Sequence, residues 1–297
     1  MKRRFPGGKT VRRLSIALSA LAFHAALQSV HMVAGTAPAW AQGDRAQADR
    51  AEGSRTEGRL DRVQRTGLLR VCIWPDYYAI SFRNPYSGEF QGLDIDMARA
   101  FAQDLGVRVS FVESGFQSVA ADLLSDRCDI GMFGIGVTAE RAGKVAFSQP
   151  YLRSGIYAVS SQTHPRILRW NDLDQDGMVV AVQKGTVMDA YASQAFRKAS
   201  VRIVSGPQER EEEVQSGRAD AFLTDYPYGQ RMLAVHQWAH LITPETPVHT
   251  TPYAYAVMPG DPLWLERVNR FVDAVKRDGR LEAAAARFRL TPIVARD

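Results

Sequence analysis

Arg141 closes the run Gly134-Ile-Gly-Val-Thr-Ala-Glu-Arg141, which directly follows apolar residues 130–133. A planar guanidinium can hold a carboxylate through two parallel charge-assisted hydrogen bonds. A single arginine after a strand is more often a surface side chain, so its neighbours must carry the weight. Gly185-Thr186 lies between an apolar run and a helical pattern, where free backbone N–H groups attract anions. Asp225, in Phe222-Leu-Thr-Asp225, could receive a cation or cap the turn that begins Tyr226-Pro227. Tyr77 and Phe116 could line a pocket or be core aromatics. Asp94 and Asp96 stand in the first turn of a helical stripe, where capping and the helix dipole favour acids, and are read as structural.

Other patterns are weaker. Gly134-Ile-Gly-Val-Thr-Ala139 fits G-x-G-x-x-A, but Phe147-Ser-Gln-Pro150 follows too soon for the long helix a dinucleotide site needs. His236 and His240 have the i, i+4 spacing of a metal pair without an H-E-x-x-H glutamate or a nearby cysteine. They are expected on a solvated helix face. The sequence contains no G-x-S-x-G, Walker loop or C-x-x-C, and no catalytic residue, cofactor or metal is expected.

The elements that must position these residues follow from periodicity. Residues 69–73, 107–112 and 128–133 read as strands, and 93–105 and 119–124 as helices. A second set has strands at 178–182, 201–204 and 219–224, with a helix at 187–197. Residues 253–258 return as a strand, and 263–278 and 281–288 as amphipathic helices. Alternation of this kind predicts parallel α/β sheets. Two extended crossings, near 155–161 and 252–258, predict a two-lobed α/β clamshell with a ligand between the lobes.

The Gly136-Val-Thr-Ala-Glu-Arg141 turn and the following Phe147-Ser-Gln-Pro-Tyr151, in a pattern extending over residues 66–290, resemble the family 3 bacterial solute-binding proteins. These are periplasmic receptors that serve ABC transporters. The resemblance implies a type II periplasmic binding-protein fold, with lobe 1 at 66–157, lobe 2 at 158–250 and a return to lobe 1 at 251–297. It implies that Arg141 grips the ligand carboxylate, that Gly134 and Gly136 let backbone approach it, and that Thr186 adds a second-lobe contact. Tyr77 and Phe116 would flank the ligand side chain, while Asp225 would receive an α-ammonium. Trp74 stands where many members carry an aspartate that pairs with basic side chains, so an uncharged or aromatic side chain is expected over a basic one. Ile80 replaces a frequent phenylalanine, and Val187 a small hydroxyl residue. The expected function is capture of a small carboxylate, an amino acid with a non-basic side chain, for an ABC permease. Two other functions share the fold. Cyclohexadienyl dehydratases add a pocket acid for proton transfer. The pair Val71-Cys72 and Cys128-Asp129 is also similar to binding-protein-like partners of quinoprotein alcohol dehydrogenases.

Six basic residues among the first thirteen precede an uncharged, largely apolar run ending Ala37-Pro-Ala-Trp-Ala41. This reads as a signal peptide at 1–41 and predicts export to the periplasm; the competing reading is an uncleaved anchor. Residues 42–65 are nearly devoid of large apolar side chains and read as a disordered linker. Residues 1–65 hold 12 of the 37 basic and 5 of the 32 acidic residues, a net of +7, which leaves −2 for the remainder. The pI of 9.3 therefore belongs to the leader and linker, and no nucleic-acid partner is expected. A monomer is expected. The two cysteines, Cys72 and Cys128, are an even count in an exported chain, which favours a disulfide over two free thiols. The resembled fold makes their strands neighbours.

Overall fold

The computed structural model describes residues 57–296. The expected signal peptide and most of the expected linker lie outside them. In chain order, lobe 1 begins with α1 (Arg59–Thr66), β1 (Leu68–Ile73) and a small meander of β2 (Asp76–Tyr77), β3 (Ser81–Arg83) and β4 (Phe90–Gln91). It continues with α2 (Leu93–Leu105), β5 (Arg108–Glu113), α3 (Val119–Leu124), β6 (Ile130–Gly131), α4 (Ala139–Ala142) and β7 (Ala146–Phe147). Through β8 (Leu152–Ser154) the chain enters lobe 2. There it forms β9 (Tyr157–Ser161), β10 (Val179–Gln183), α5 (Val187–Ala195), β11 (Ser200–Val204), α6 (Pro207–Gln215), β12 (Ala221–Thr224), α7 (Tyr226–Val235) and β13 (Ala239–Ile242). It returns by β14 (Thr251–Tyr253) to β15 (Ala256–Val257), α8 (Pro262–Arg277) and α9 (Arg280–Arg287).

Each lobe is a five-stranded sheet, ordered β5-β1-β6-β15-β7 and β11-β10-β12-β9-β13. The expectation of parallel sheets holds for the first three strands of each. β15 and β9 run antiparallel to their neighbours. Both arrive from a crossing without the crossover helix that parallel pairing requires. The crossings themselves are β8 and β14, which pair antiparallel, Arg153 opposite Pro252. β8 ends just before the first expected crossing, 155–161, and β14 overlaps the start of the second, 252–258.

Helices form where apolar stripes meet good terminators. In α2, Ile95, Ala98, Phe101 and Ala102 are buried, and Gly106 ends the helix at φ 70. In α8, Asp261 accepts from the Trp264 amide at 2.9 Å, while Trp264, Val268, Phe271, Val272 and Val275 face the core.

Three expectations fail in detail. Residues 59–66, within the expected disordered linker, form α1. Buried Val63 and the ion pairs of Arg59 and Arg62 to Asp126 and to Asp129, which is 1% exposed, anchor it. The strand expected at 128–133 shrinks to two residues, Ile130–Gly131, flanked by single backbone bonds of Asp129 to Arg70 and of Met132 to Cys72. His236 ends α7 and His240 lies on β13, so the two histidines share no helical face. The helix after the G-x-G-x-x-A pattern spans only Ala139–Ala142. Cys72 and Cys128 are bridged, with Cα atoms 5.6 Å apart. Among the described residues no helix is long and apolar enough to cross a membrane.

Candidate ligand-binding site

All eight residues singled out from sequence, Trp74, Tyr77, Phe116, Gly134, Gly136, Arg141, Thr186 and Asp225, line one cavity between the lobes. Arg141 is mounted on α4, whose N-cap Thr138 accepts from the Arg141 amide at 3.2 Å. Its Nη1 donates to the Gly136 carbonyl at 3.0 Å, and its Nη2 reaches across to the Gly185 carbonyl of lobe 2 at 2.8 Å. Each of these nitrogens carries a second N–H, so the guanidinium still has donors to offer. It lies 5.5 Å from the Phe116 ring centre. Burial pulls its pKa down, though arginine keeps its charge.

Trp74, Tyr77 and Phe116 form an aromatic triangle with centroids 5.0 to 5.8 Å apart. Gly134 is required beside it. Its φ is +61, and an added Cβ would lie 2.8 Å from Tyr77 Cε1. The Gly134 amide points inward, donating to Asp94 Oδ2 at 2.8 Å and to the Tyr151 hydroxyl at 3.1 Å. Asp94 also accepts from the hydroxyls of Tyr151 at 2.5 Å and Tyr255 at 3.3 Å. Desolvation raises its pKa to about 7 against the lowering effect of those donors. Asp94 thus fixes the loop that carries Arg141.

The start of α5 is largely satisfied from within. Thr186 Oγ1 accepts from the Asp189 amide, and the Asp189 carboxylate accepts from the Gly185 amide at 3.0 Å. Asp225 both caps α7 and faces the cavity. Its Oδ1 accepts from the Tyr228 amide at 3.1 Å, and its Oδ2 accepts from the Tyr253 hydroxyl at 2.8 Å and from the Tyr77 hydroxyl. Burial pushes its pKa up despite these donors.

Sequence reasoning missed six lining residues: Gln183, Met188, Arg210, Thr224, Tyr228 and Tyr253. Tyr253 lay inside a stretch read as one apolar strand. Arg210 lies on α6, a helix not anticipated at all. Its buried face is Pro207, Arg210, Glu211 and Val214, a perfect i, i+3, i+4, i+7 stripe with charges in the middle. Proline at the first turn was the available signal.

The profile of the bacterial extracellular solute-binding proteins, family 3, matches residues 69–291. The chain belongs to that family. Within it, cyclohexadienyl dehydratase of Pseudomonas aeruginosa is 28% identical over 224 residues, 75% of this chain and 83% of the relative. An L-cystine-binding protein of Escherichia coli is 26% identical over 229 residues, 77% and 85% of the two chains. The crystal structure of an ancestral amino acid-binding protein, described as a precursor of cyclohexadienyl dehydratase, superposes with a TM-score of 0.71 at 33% identity. It covers 77% of this chain and 98% of its own. The fold is accordingly the type II periplasmic binding-protein clamshell, as the family 3 signature implied.

Proposed function

We propose that this protein is an exported binding receptor that captures a small amino acid with a non-basic side chain and presents it to an ABC permease. The observation that carries this reading is the convergence of Arg141 from lobe 1 and Asp225 from lobe 2 on one cavity. Arg141 takes the α-carboxylate through its free N–H groups, while Trp74, Tyr77 and Phe116 pack the side chain. An ionised carboxylate offers about four lone-pair positions, and protein donors use three of those on Asp225. The ligand's ammonium takes the remaining one, adding a cation where burial otherwise disfavours charge. The leader and family membership support a periplasmic location, with the receptor acting as a monomer.

Isothermal calorimetry over the L-amino acids tests the reading. Arg141→Ala should lose on the order of 2–5 kcal/mol of affinity, the usual cost of deleting one partner of a buried charge pair, with its denaturation midpoint little changed. Unaltered affinity would remove the carboxylate role.

A dehydratase reading also has support, from the Pseudomonas aeruginosa relative and from a buried carboxyl, Asp225, whose raised pKa suits proton transfer. Turnover of prephenate by the purified protein would establish it over the receptor.

A further inference from the structure

We propose that Arg210, with Thr224 beside it on the lobe 2 wall, forms a second anion subsite, so that the preferred ligand is an amino acid carrying a side-chain carboxylate. This rests on the reading that Arg141 holds the α-carboxylate, and it adds where the other end of the ligand goes.

Four observations carry it. Arg210 is only 4% exposed, yet among the described residues no carboxylate lies within ion-pair distance of its guanidinium. The nearest acids are already engaged. Asp225 is bound by Tyr77, Tyr253 and the Tyr228 amide, and Glu211 by Tyr228, Arg231 at 2.5 Å and His236 at 3.0 Å. They favour Arg210's charge from a distance against the desolvation that lowers its pKa.

Second, the guanidinium is held in place rather than loose. Its Nη1 donates to the Leu223 carbonyl at 2.8 Å, and it lies 5.2 and 4.8 Å from the ring centres of Phe222 and Tyr228. Third, Arg210 Nε has no hydrogen-bond partner, and neither has Thr224 Oγ1, although Thr224 is 1% exposed. Buried polar groups are rarely left unpaired, so two orphans in one wall mark a place built for an acceptor. Finally, both residues line the same cavity as Arg141 and Asp225.

Charge balance gives the class of ligand. The cavity wall carries two guanidinium groups and one carboxyl. A zwitterion with a neutral side chain leaves Arg210 uncompensated in a desolvated cleft. A dicarboxylic amino acid brings two negative charges and one positive, which neutralises the set. A lysine or arginine would add a third cation.

Calorimetry on the purified exported protein with L-glutamate and L-aspartate against L-glutamine and L-asparagine tests this. The acids should bind at least tenfold more tightly than their amides. Arg210→Met should abolish that ratio by weakening the acids at least tenfold more than the amides. Thr224→Val, nearly isosteric, should reduce the ratio severalfold and serves as the second variant if Arg210→Met does not fold. Equal binding of acid and amide by the native protein, or a ratio unmoved by either folded variant, overturns the proposal. The Arg141 reading fails separately: Arg141→Met should weaken acids and amides alike, and if it does not, the α-carboxylate assignment falls while the Arg210 ratio still stands or falls on its own.

Discussion

At the scale of single residues, the sharpest feature is that Asp94 is buried and uncompensated by any cation while holding the Gly134 amide. Its neighbours are hydroxyls and an amide, which stabilise the ionised form less than burial opposes it. A carboxyl whose folded pKa is raised to about 7, from 3.8, binds its proton more tightly in the folded state. Its contribution to stability is then complete at low pH and is lost as pH rises through about 7. Each pH unit of displacement corresponds to about 1.4 kcal/mol. Asp94→Asn keeps an acceptor for Gly134 and Tyr151 but cannot ionise. Urea denaturation between pH 5 and 8 should show stability falling with pH in the native protein, with a shallower fall in Asp94→Asn. Asp225, shifted the same way, contributes equally to both proteins, so the difference between the curves isolates Asp94. Parallel curves would mean that Asp94 does not titrate there. The sequence placed Asp94 correctly in a first turn, but a polar capping acid and a buried anchor look alike until the tyrosines from distant crossings surround it.

At the scale of elements, the bridge between Cys72 on β1 and Cys128 just before β6 pins the end of the strand that feeds the Arg141 loop. It closes a span of 56 residues containing α2, β5 and α3. In the chain-entropy model a loop of that length contributes about 4 kcal/mol by restricting the unfolded chain. The double variant Cys72→Ala/Cys128→Ala should lose stability of that order in urea, and the native protein should lose a similar amount in reductant. A change below about 1 kcal/mol would place the restraint elsewhere in lobe 1. Elements also show where pattern reading stops. Strands and helices with regular apolar spacing, such as α2, α3 and α8, have their expected bounds to within a residue or two. α6 and α1 do not announce themselves, because arginine and glutamate occupy their buried faces. Only partners from other elements, Leu223 on β12 for Arg210 and Asp129 beside β6 for Arg59, make those positions interior.

At the scale of the whole molecule, polar contacts join the two lobes, and those of Arg141, Tyr77 and Asp225 do so at the cavity. Arg141 donates to Gly185, Gln117 Nε2 to the Lys184 carbonyl at 3.3 Å, and Tyr77 to Asp225. In the proposed reading, lobe closure and ligand contact then depend on shared groups, Arg141 and Asp225. Trp74 offers no carboxylate at the aromatic wall, and Arg210 adds positive charge to the opposite one. Basic side chains should be rejected strongly, since an unpaired buried ammonium is costly. A thermal-shift screen should show no stabilisation by L-lysine or L-arginine at concentrations where a neutral or acidic amino acid raises the midpoint by several degrees. Tight arginine binding would require a second acid in the cleft, since Asp225 is the one carboxyl the described wall presents and the proposed reading commits it to the α-ammonium.

The sequence by itself determined the two-lobed α/β plan, carried by the spacing of apolar runs, and the family 3 signature; it was the resemblance to that family, and not local spacing, that picked out the eight residues that come to line one cavity. The sequence also determined the even cysteine pair. Tertiary structure decided what each of those residues is bonded to. It turned Asp225 toward two tyrosines, Tyr77 of the lobe 1 meander and Tyr253 of the return crossing, directed the Gly134 amide into the core, and buried a charged helix face to bring Arg210 to the cleft. Those outcomes depend on burial and on partners from other elements, 13 to 148 residues away in the chain, and neither is encoded in the periodicity of a single segment.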